Sequence, residues 1–272
     1  MIVETLKVCP DGKFYEDGDF KIGGVKGTGS QIVVQFVDPA GTMTDKLFPT
    51  DNRQEQIAVS SIPGIESFIV NTTLIDAANP FCFVDASTMP KIYNERDRSS
   101  PDILEVIEAI RRVAAVRMGL APDEVSAGRV RGTPKIAILS PPKFHYENRG
   151  DSRMPDIHVA SYSMGKLHSS FQLTGAVCLA AAVSVRGTVA AEIASKKRFY
   201  ISPPDTPPET CLEDSVMKLG ASERRVIVAH GGGQMEADVK LREGSENEVD
   251  VERVTVSRTA RRLFEGNVLI RV

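Results

Sequence analysis

The stretch LTGAVCLAAAVSV, residues 173–185, constrains the fold of this chain more than any other. From Ala176 to Val183 every side chain is apolar. A helix of that composition has no polar face to turn towards water, so it belongs in the middle of a core. It is also well short of the roughly 20 apolar residues that a membrane-spanning helix needs. Gly175, Ala176 and Ala180 to Ala182 are small enough to let a sheet pack closely around it. The expectation is a buried helix, about 174–184, wrapped by strands.

A buried helix start carries four N–H groups without internal partners, and its dipole favours an anion there. The residues ahead of it read SMGKLHSSFQLTG, 163–175. Thr174 is a suitable N-cap, while Lys166 and His168 bring positive or proton-exchanging groups close by. Pattern alone leaves two readings open. In one, this polar front forms a carboxylate pocket. In the other, Thr174 caps the helix, the serines form a turn and Lys166 is solvated.

Elsewhere the chain alternates short strands with turns. IVETLKV and QIVVQFV are apolar or β-branched, and DPAGTMTDKLFPTDN between residues 38 and 52 is a loop too polar to be a strand. SFIVNTTLIDAANPFCFVDA holds two apolar runs around Asp76–Pro80, with Asn79 biased by the following proline towards extended or turn geometry. SSPDILEVIEAIRRVAAVRMGL is the clearest helix. Ser99 or Ser100 caps it, Pro101 suits its first position, and Gly119 ends it. PKIAILS, GTVAAEIA, KRFYIS and RRVIVAH read as strands, and PPKFHYENRGDSRMPD and SPPDTPPETC as loops. The end reads as a hairpin with an acidic turn, then a strand, a short helical turn and a last strand. Strands of mixed length without regular βα alternation make an α+β protein, not a doubly wound sheet.

Composition narrows the partners. A net charge of −3 from 33 basic and 36 acidic residues, with both signs scattered, predicts neither a nucleic-acid face nor an anionic-membrane partner. Cys9, Cys82, Cys178 and Cys211 share no C-x-x-C pair, so neither a zinc site nor a disulfide framework is expected. His145 and His158 lack metal-ligand spacing. With no apolar segment near Met1, the expectation is a cytoplasmic protein with free thiols.

SMGKLHSSFQLTGAV followed by GTV at 187–189 resembles the signature of the PrpF family, the methylaconitate isomerases. Further similar segments follow in order: GDFKIGGVKGTGSQIVVQFVDPAGTMTDKLFPTDN, LIDAANPFCFV, IEAIRRVAAVRMGLA, PKIAILSPP and SRTARRLFEGNV. The resemblance implies a diaminopimelate epimerase-like fold, with two pseudo-symmetric β-barrel-like domains each around a central helix. It assigns residues 61–252 to the second domain and residues 1–60 with 253–272 to an incomplete first one. In the family, a segment ahead of IVETLKV carries a catalytic Cys in a Gly-Asn-Cys-Gly-Asn turn and a catalytic Lys. Neither motif occurs here, so the expectation is a chain truncated relative to the family and a poor isomerase by itself.

The implied reaction moves a double bond by a 1,3-proton shift in a di- or tricarboxylic acid, without metal or organic cofactor. Methylaconitate, aconitate, methylitaconate and oxalomesaconate are the implied kind of substrate. Lys166 and His168 become the candidate catalytic groups. Ser163, Met164, Thr174 and Gly175 line the pocket, and Thr50 and Asn79 orient carboxylates. Asp51 stands where the family's loop has Gly, and His230-Gly231-Gly232-Gly233 replaces a His-Pro-Ser-Gly turn. A homo-oligomer is compatible with this reading. Its rivals are an inactive carboxylate-binding or scaffold protein, and amino-acid racemase chemistry. The second suffers because Gln172-Leu173-Thr174 offers no thiol at the helix start.

Overall fold

The structure, a computed structural model, describes residues 1–10, 12–60, 62–142, 154–200 (side chains to 195), 223–242, 250–264 and 266. In chain order the strands are β1 (Ile2–Thr5), β2 (Ile32–Val37), β3 (Glu55–Val59), β4 (Phe68–Asp76), β5 (Pro80–Asp85), β6 (Lys135–Ser140), β7 (Ile157–Ser163), β8 (Lys166–Leu167), β9 (Glu223–His230), β10 (Gly233–Leu241) and β11 (Val251–Arg258). The helices are α1 (Ile92–Glu95), α2 (Pro101–Arg117), α3 (Glu124–Arg129), α4 (Leu173–Ser184) and α5 (Val189–Tyr200).

All the described strands join one mixed sheet in the order β1-β2-β11-β10-β9-β7-β6-β5-β4-β3, with β8 on β7. β5 and β6, and β7 and β9, are parallel; the other pairs are antiparallel. The sheet curls around α4, whose residues from Ala176 to Val183 are fully buried. Ile75, Phe81, Phe83, Leu139, Val228, Val239, Val254 and Val34 all face it. Because the side-chain period of a strand is two, β4 to β7 present alternate residues to a second core on their outer face. There Leu74, Cys82, Val84, Ile136, Ile138 and Tyr162 pack on Ile103, Val106, Ile107 and Ile110 of α2.

The loop from Asp38 to Asn52 brings β2 round to β4. Gly41 N donates to Asp76 O at 2.8 Å, Asp76 N to Leu47 O at 2.9 Å, and Ala78 N to Pro39 O at 2.7 Å. The fully buried Asp76 carboxylate holds this loop in place. It accepts from Thr42 Oγ1 (2.5 Å), Met43 N (2.7 Å), Thr44 N (2.9 Å) and Thr44 Oγ1 (3.0 Å). Asp51 adopts φ 60, and its carboxylate pairs with Lys46 Nζ at 2.8 Å.

The α+β class and the central helix match the expectation, and α2 starts at Pro101 after Ser100 and stops before Gly119 as the sequence predicts. Three expectations are corrected. GTVAAEIA and the start of KRFYIS form α5, because Val189, Ala190, Ile193 and Ala194 recur at helical spacing and all four face the core. The α4 N-cap is Gln172, so Thr174 lies inside the first turn and does not cap it. The residues after Arg258, 259–264, contain no helical turn. β2 and β11 bury Ile32, Val34, Phe36, Val254 and Val256 on the same helix as β4 to β10. The expected last strand, the acidic turn, His145 and Cys211 lie outside the described residues.

Candidate active site

The candidate site forms where several strand ends meet the start of α4. Gly175 lies against aromatic rings there. A Cβ on it would fall 2.7 Å from Phe171 and 2.9 Å from Phe81, so only the missing side chain lets the helix start sit so low on β5. Phe81 and Phe171 meet edge to face, with ring centroids 6.2 Å apart. Around this point stand the β4–β5 turn with Asn79, the start of β6 at Lys135, the β7–β8 hairpin, and the β9–β10 turn from His230 to Gly233.

Ser163-Met164-Gly165-Lys166 is a two-residue hairpin. Met164 (φ 53) and Gly165 (φ 72) both take left-handed backbone, the geometry that matches strand twist. Directly paired residues point to one face of a sheet, so Ser163 and Lys166 share a face. Ser161 and Val159, two and four residues before Ser163, share it too, and Val159 faces α4. His168 joins them, its N–H donating to Ser161 O at 2.8 Å. Its Nδ1 meets Ser170 at two points, 2.8 Å from the carbonyl oxygen and 3.2 Å from the backbone N, which holds the ring over that turn.

Of the expected residues, Ser163, Lys166 and His168 lie on the β7–β8 hairpin and the segment that leads into α4, Thr174 and Gly175 lie in the first turn of α4, and Asn79 lies on the β4–β5 turn with no side-chain hydrogen bond among the described residues. Two stand apart. Met164, exposed at the hairpin tip, borders with Tyr162, Ser163 and Gly165 a small cavity against Leu104, Ile107, Glu108 and Arg111 of α2. Thr50 is not brought to the site. Its hydroxyl donates to Glu55 Oε1 at 2.5 Å, and Glu55 also pairs with Arg117 at 2.7 Å. Glu55 stands opposite Thr72, four residues or about 13 Å along β4 from Asp76. Both displacements arise from register and packing, which a local reading of the motifs does not contain.

Two residues at the site carry no local motif. Lys135 Nζ donates to Ser163 Oγ at 3.2 Å, a contact set by the β6–β7 register. Gln172 accepts from Ser161 Oγ at 2.9 Å, while its buried Nε2 has no partner among the described residues. His230, visible in the sequence only through the glycines after it, is half-buried. Burial, with His168 nearby, lowers its pKa, and its Nδ1 accepts from Gly232 N at 3.0 Å, so the ring is neutral with its proton on Nε2. The turn packs backbone to backbone against Gly23 and Gly24, where a Cβ on Gly24 would meet Gly232 O at 1.5 Å.

The thiols lie elsewhere. Cys178 is buried mid-helix with Sγ 3.8 Å from Ile75 O, and Cys82 is buried on the α2 side. Burial pushes both thiols well above their ordinary range, so neither supplies a thiolate at neutral pH. Among the described residues no group of three His, Cys, Asp or Glu could hold a metal, and no single helix is long and apolar enough to cross a membrane.

A buried central helix in a curled mixed sheet, with polar groups at the helix start, defines the diaminopimelate epimerase-like α+β class. The crystal structure of methylitaconate-delta-isomerase has that arrangement, with TM-score 0.67 and 25% identity over 98% of this chain and 62% of its own. The PrpF protein family model matches residues 1–201, and the chain belongs to that family. It is 32% identical over 245 residues to YraM of Bacillus subtilis, covering 86% of this chain and 65% of that protein. To the 2-methyl-aconitate isomerase of Shewanella oneidensis it is 34% identical over 188 residues, covering 66% of this chain and 46% of that protein. The chain thus spans between about half and two thirds of the length of these relatives.

Proposed function

We propose that this chain serves an isomerase that moves a carbon–carbon double bond by a 1,3-proton shift in an unsaturated di- or tricarboxylic acid. The observation that carries the reading is the family match over residues 1–201, the stretch that contains Asn79, Lys135, the β7–β8 hairpin and the start of α4. Relatives named for methylaconitate and methylitaconate make those acids, with aconitate and oxalomesaconate, the substrates to try first.

The chemistry needs a base for a proton on a carbon activated by a nearby carboxylate. It also needs donors that hold the dienolate, and an acid for the distal carbon. His168 Nε2 is the proposed base. Lys166, exposed on the same face, is the proposed acid and charge partner. As the C–H bond breaks, its electron pair forms the new double bond, the old one shifts into the dienolate, and protonation at the far carbon completes the transfer. Asn79 and the first-turn amides at Thr174 and Gly175 hold carboxylate oxygens.

A second reading, a carboxylate binder without turnover, is favoured by the burial of Cys82 and Cys178, which keeps both of those thiols from acting as acid or base. Proton NMR in D₂O with each of the four acids separates the two. Double-bond migration with deuterium uptake, at about 1–10³ s⁻¹, supports the isomerase. Binding without exchange supports the binder, and neither binding nor exchange removes both.

A further inference from the structure

Lys135 is a cation without a counter-ion. It is half-buried, its Nζ reaches Ser163 Oγ, and among the described residues it pairs with no carboxylate. Comparable cations are matched: Arg111 is bound by Glu108 at 2.7 Å and Lys240 by Glu252 at 2.7 Å. Taking an ammonium partly out of water costs free energy unless an opposite charge or several good acceptors replace that water. One serine hydroxyl is a poor substitute.

The register shows what Lys135 faces. Ala137 and Leu139 of β6 pack towards α4 and Ile136 and Ile138 towards α2, so Lys135 lies on the α4 side. Its neighbour on β5 is Phe81, the ring against which Gly175 rests. Its partner on β7 is Ser163, whose own partner on β8 is Lys166. Lys135, Ser163 and Lys166 therefore form one row across three strands, with the two lysine Cα atoms about 10 Å apart at the usual strand spacing. The inner lysine is half-buried beside the helix start and the outer one is exposed.

We infer that Lys135 and Lys166 are the charge partners of two different carboxylates on one substrate. Lys135 takes the inner carboxylate together with the first-turn amides of α4, and Lys166 takes the outer one. Ser163 between them orients Lys135. The assignment rests on the isomerase reading and deepens it: the site selects for two or more carboxylates and discriminates against one.

Titration calorimetry with trans-aconitate on the full chain tests this. Lys135→Met and Lys166→Met are each expected to weaken binding by roughly tenfold or more, while Lys135→Arg stays within about threefold of wild type. Crotonate, with a single carboxylate, is expected to bind wild type at least about tenfold more weakly than trans-aconitate. Equal affinity in Lys135→Met and wild type overturns the role of Lys135 and leaves the isomerase reading standing. Absence of any binding to wild type overturns both. A measurement on wild type alone guards against a variant that fails to fold. Reductive methylation read by mass spectrometry should show trans-aconitate slowing modification of Lys135 but not of exposed Lys91, and equal labelling of Lys135 with and without the acid overturns the inference.

Discussion

The Glu108–Arg111 pair shows how single residues here are committed to structure. Both side chains are buried, and Arg111 also donates to the carbonyls of Ala127 (2.7 Å), Thr133 (3.0 Å) and Val130 (3.2 Å). It thereby ties α3 and the approach to Lys135 onto α2. Burial alone would raise the Glu108 carboxyl, but the bonds from Arg111 and Arg112 outweigh it and hold the pKa below the ordinary carboxylate value. A carboxyl lowered in the folded state contributes stability that is fully present above the unfolded value, about 4.3, and is lost as pH falls through the folded one. Removing it by Glu108→Ala leaves Arg111 uncompensated and should cost about 3–5 kcal/mol at pH 7 in urea unfolding. The loss should shrink as pH drops below about 4; a constant loss would refute the linkage. Cys178→Ser is expected to destabilise by about 1–3 kcal/mol, through a hydroxyl placed in an apolar core, without changing carboxylate affinity. Rapid alkylation of Cys178 in the folded chain, with loss of binding, would contradict that packing role.

At the scale of the element, α4 depends more on what its first turn touches than on its caps. Gly175→Ala gains helix propensity worth about 1 kcal/mol. It also drives a methyl into Phe171 and Phe81, an overpacking that costs about 1–3 kcal/mol. The expected outcome is a lower unfolding midpoint together with weaker trans-aconitate binding, since the helix start must shift. Thr174→Ala makes a sharp control. As an N-cap, Thr174 would be worth about 1 kcal/mol. Placed after the cap, with no side-chain hydrogen bond among the described residues, it should change stability by less than about 0.5 kcal/mol. A loss of the full cap value would move the start of α4 to where the sequence suggested. The helix that follows is held differently: Thr188 Oγ1 donates to Ala182 O at 2.6 Å and accepts from Ala191 N at 3.0 Å, so one hydroxyl ends α4 and starts α5.

For the whole molecule, the consequence of one continuous sheet is cooperativity. The α4 core and the α2 core are the two faces of β4 to β7, so neither can be lost while the other keeps its strands. Tyr93 and Tyr162 are buried in the α2 core and Cys178 in the α4 core, which supplies a probe for each. Tyrosine fluorescence and Cys178 reactivity should give superimposable urea transitions, as two-state unfolding requires. Separate midpoints would mean that the boundary near residue 60, or another, divides the chain into independent units. Closure also rests on the loop from Asp38 to Asn52, which Asp76 anchors by four hydrogen bonds from residues 42–44.

What the sequence determined by itself was whatever depends on near neighbours. Ala176 to Val183 has no polar face, so α4 had to be buried, and Pro101 and Gly119 bounded α2 through backbone geometry alone. Lys166, His168, Ser163 and Gly175 stand out as candidates because the segment that carries them runs directly into that helix. Tertiary structure decided what depends on register between distant strands. Val189 to Ala194 is a short apolar stretch compatible with strand or helix, and packing on β4 and β5 selects the helix. Lys135 reaches the site only because it pairs with Ser163, 28 residues further on, and Thr50 leaves it because its hydroxyl is taken by Glu55. The sequence spells out what each residue can do, but the curl of the sheet fixes which residues meet, since a one-residue slip in pairing would turn Lys135 to the opposite face.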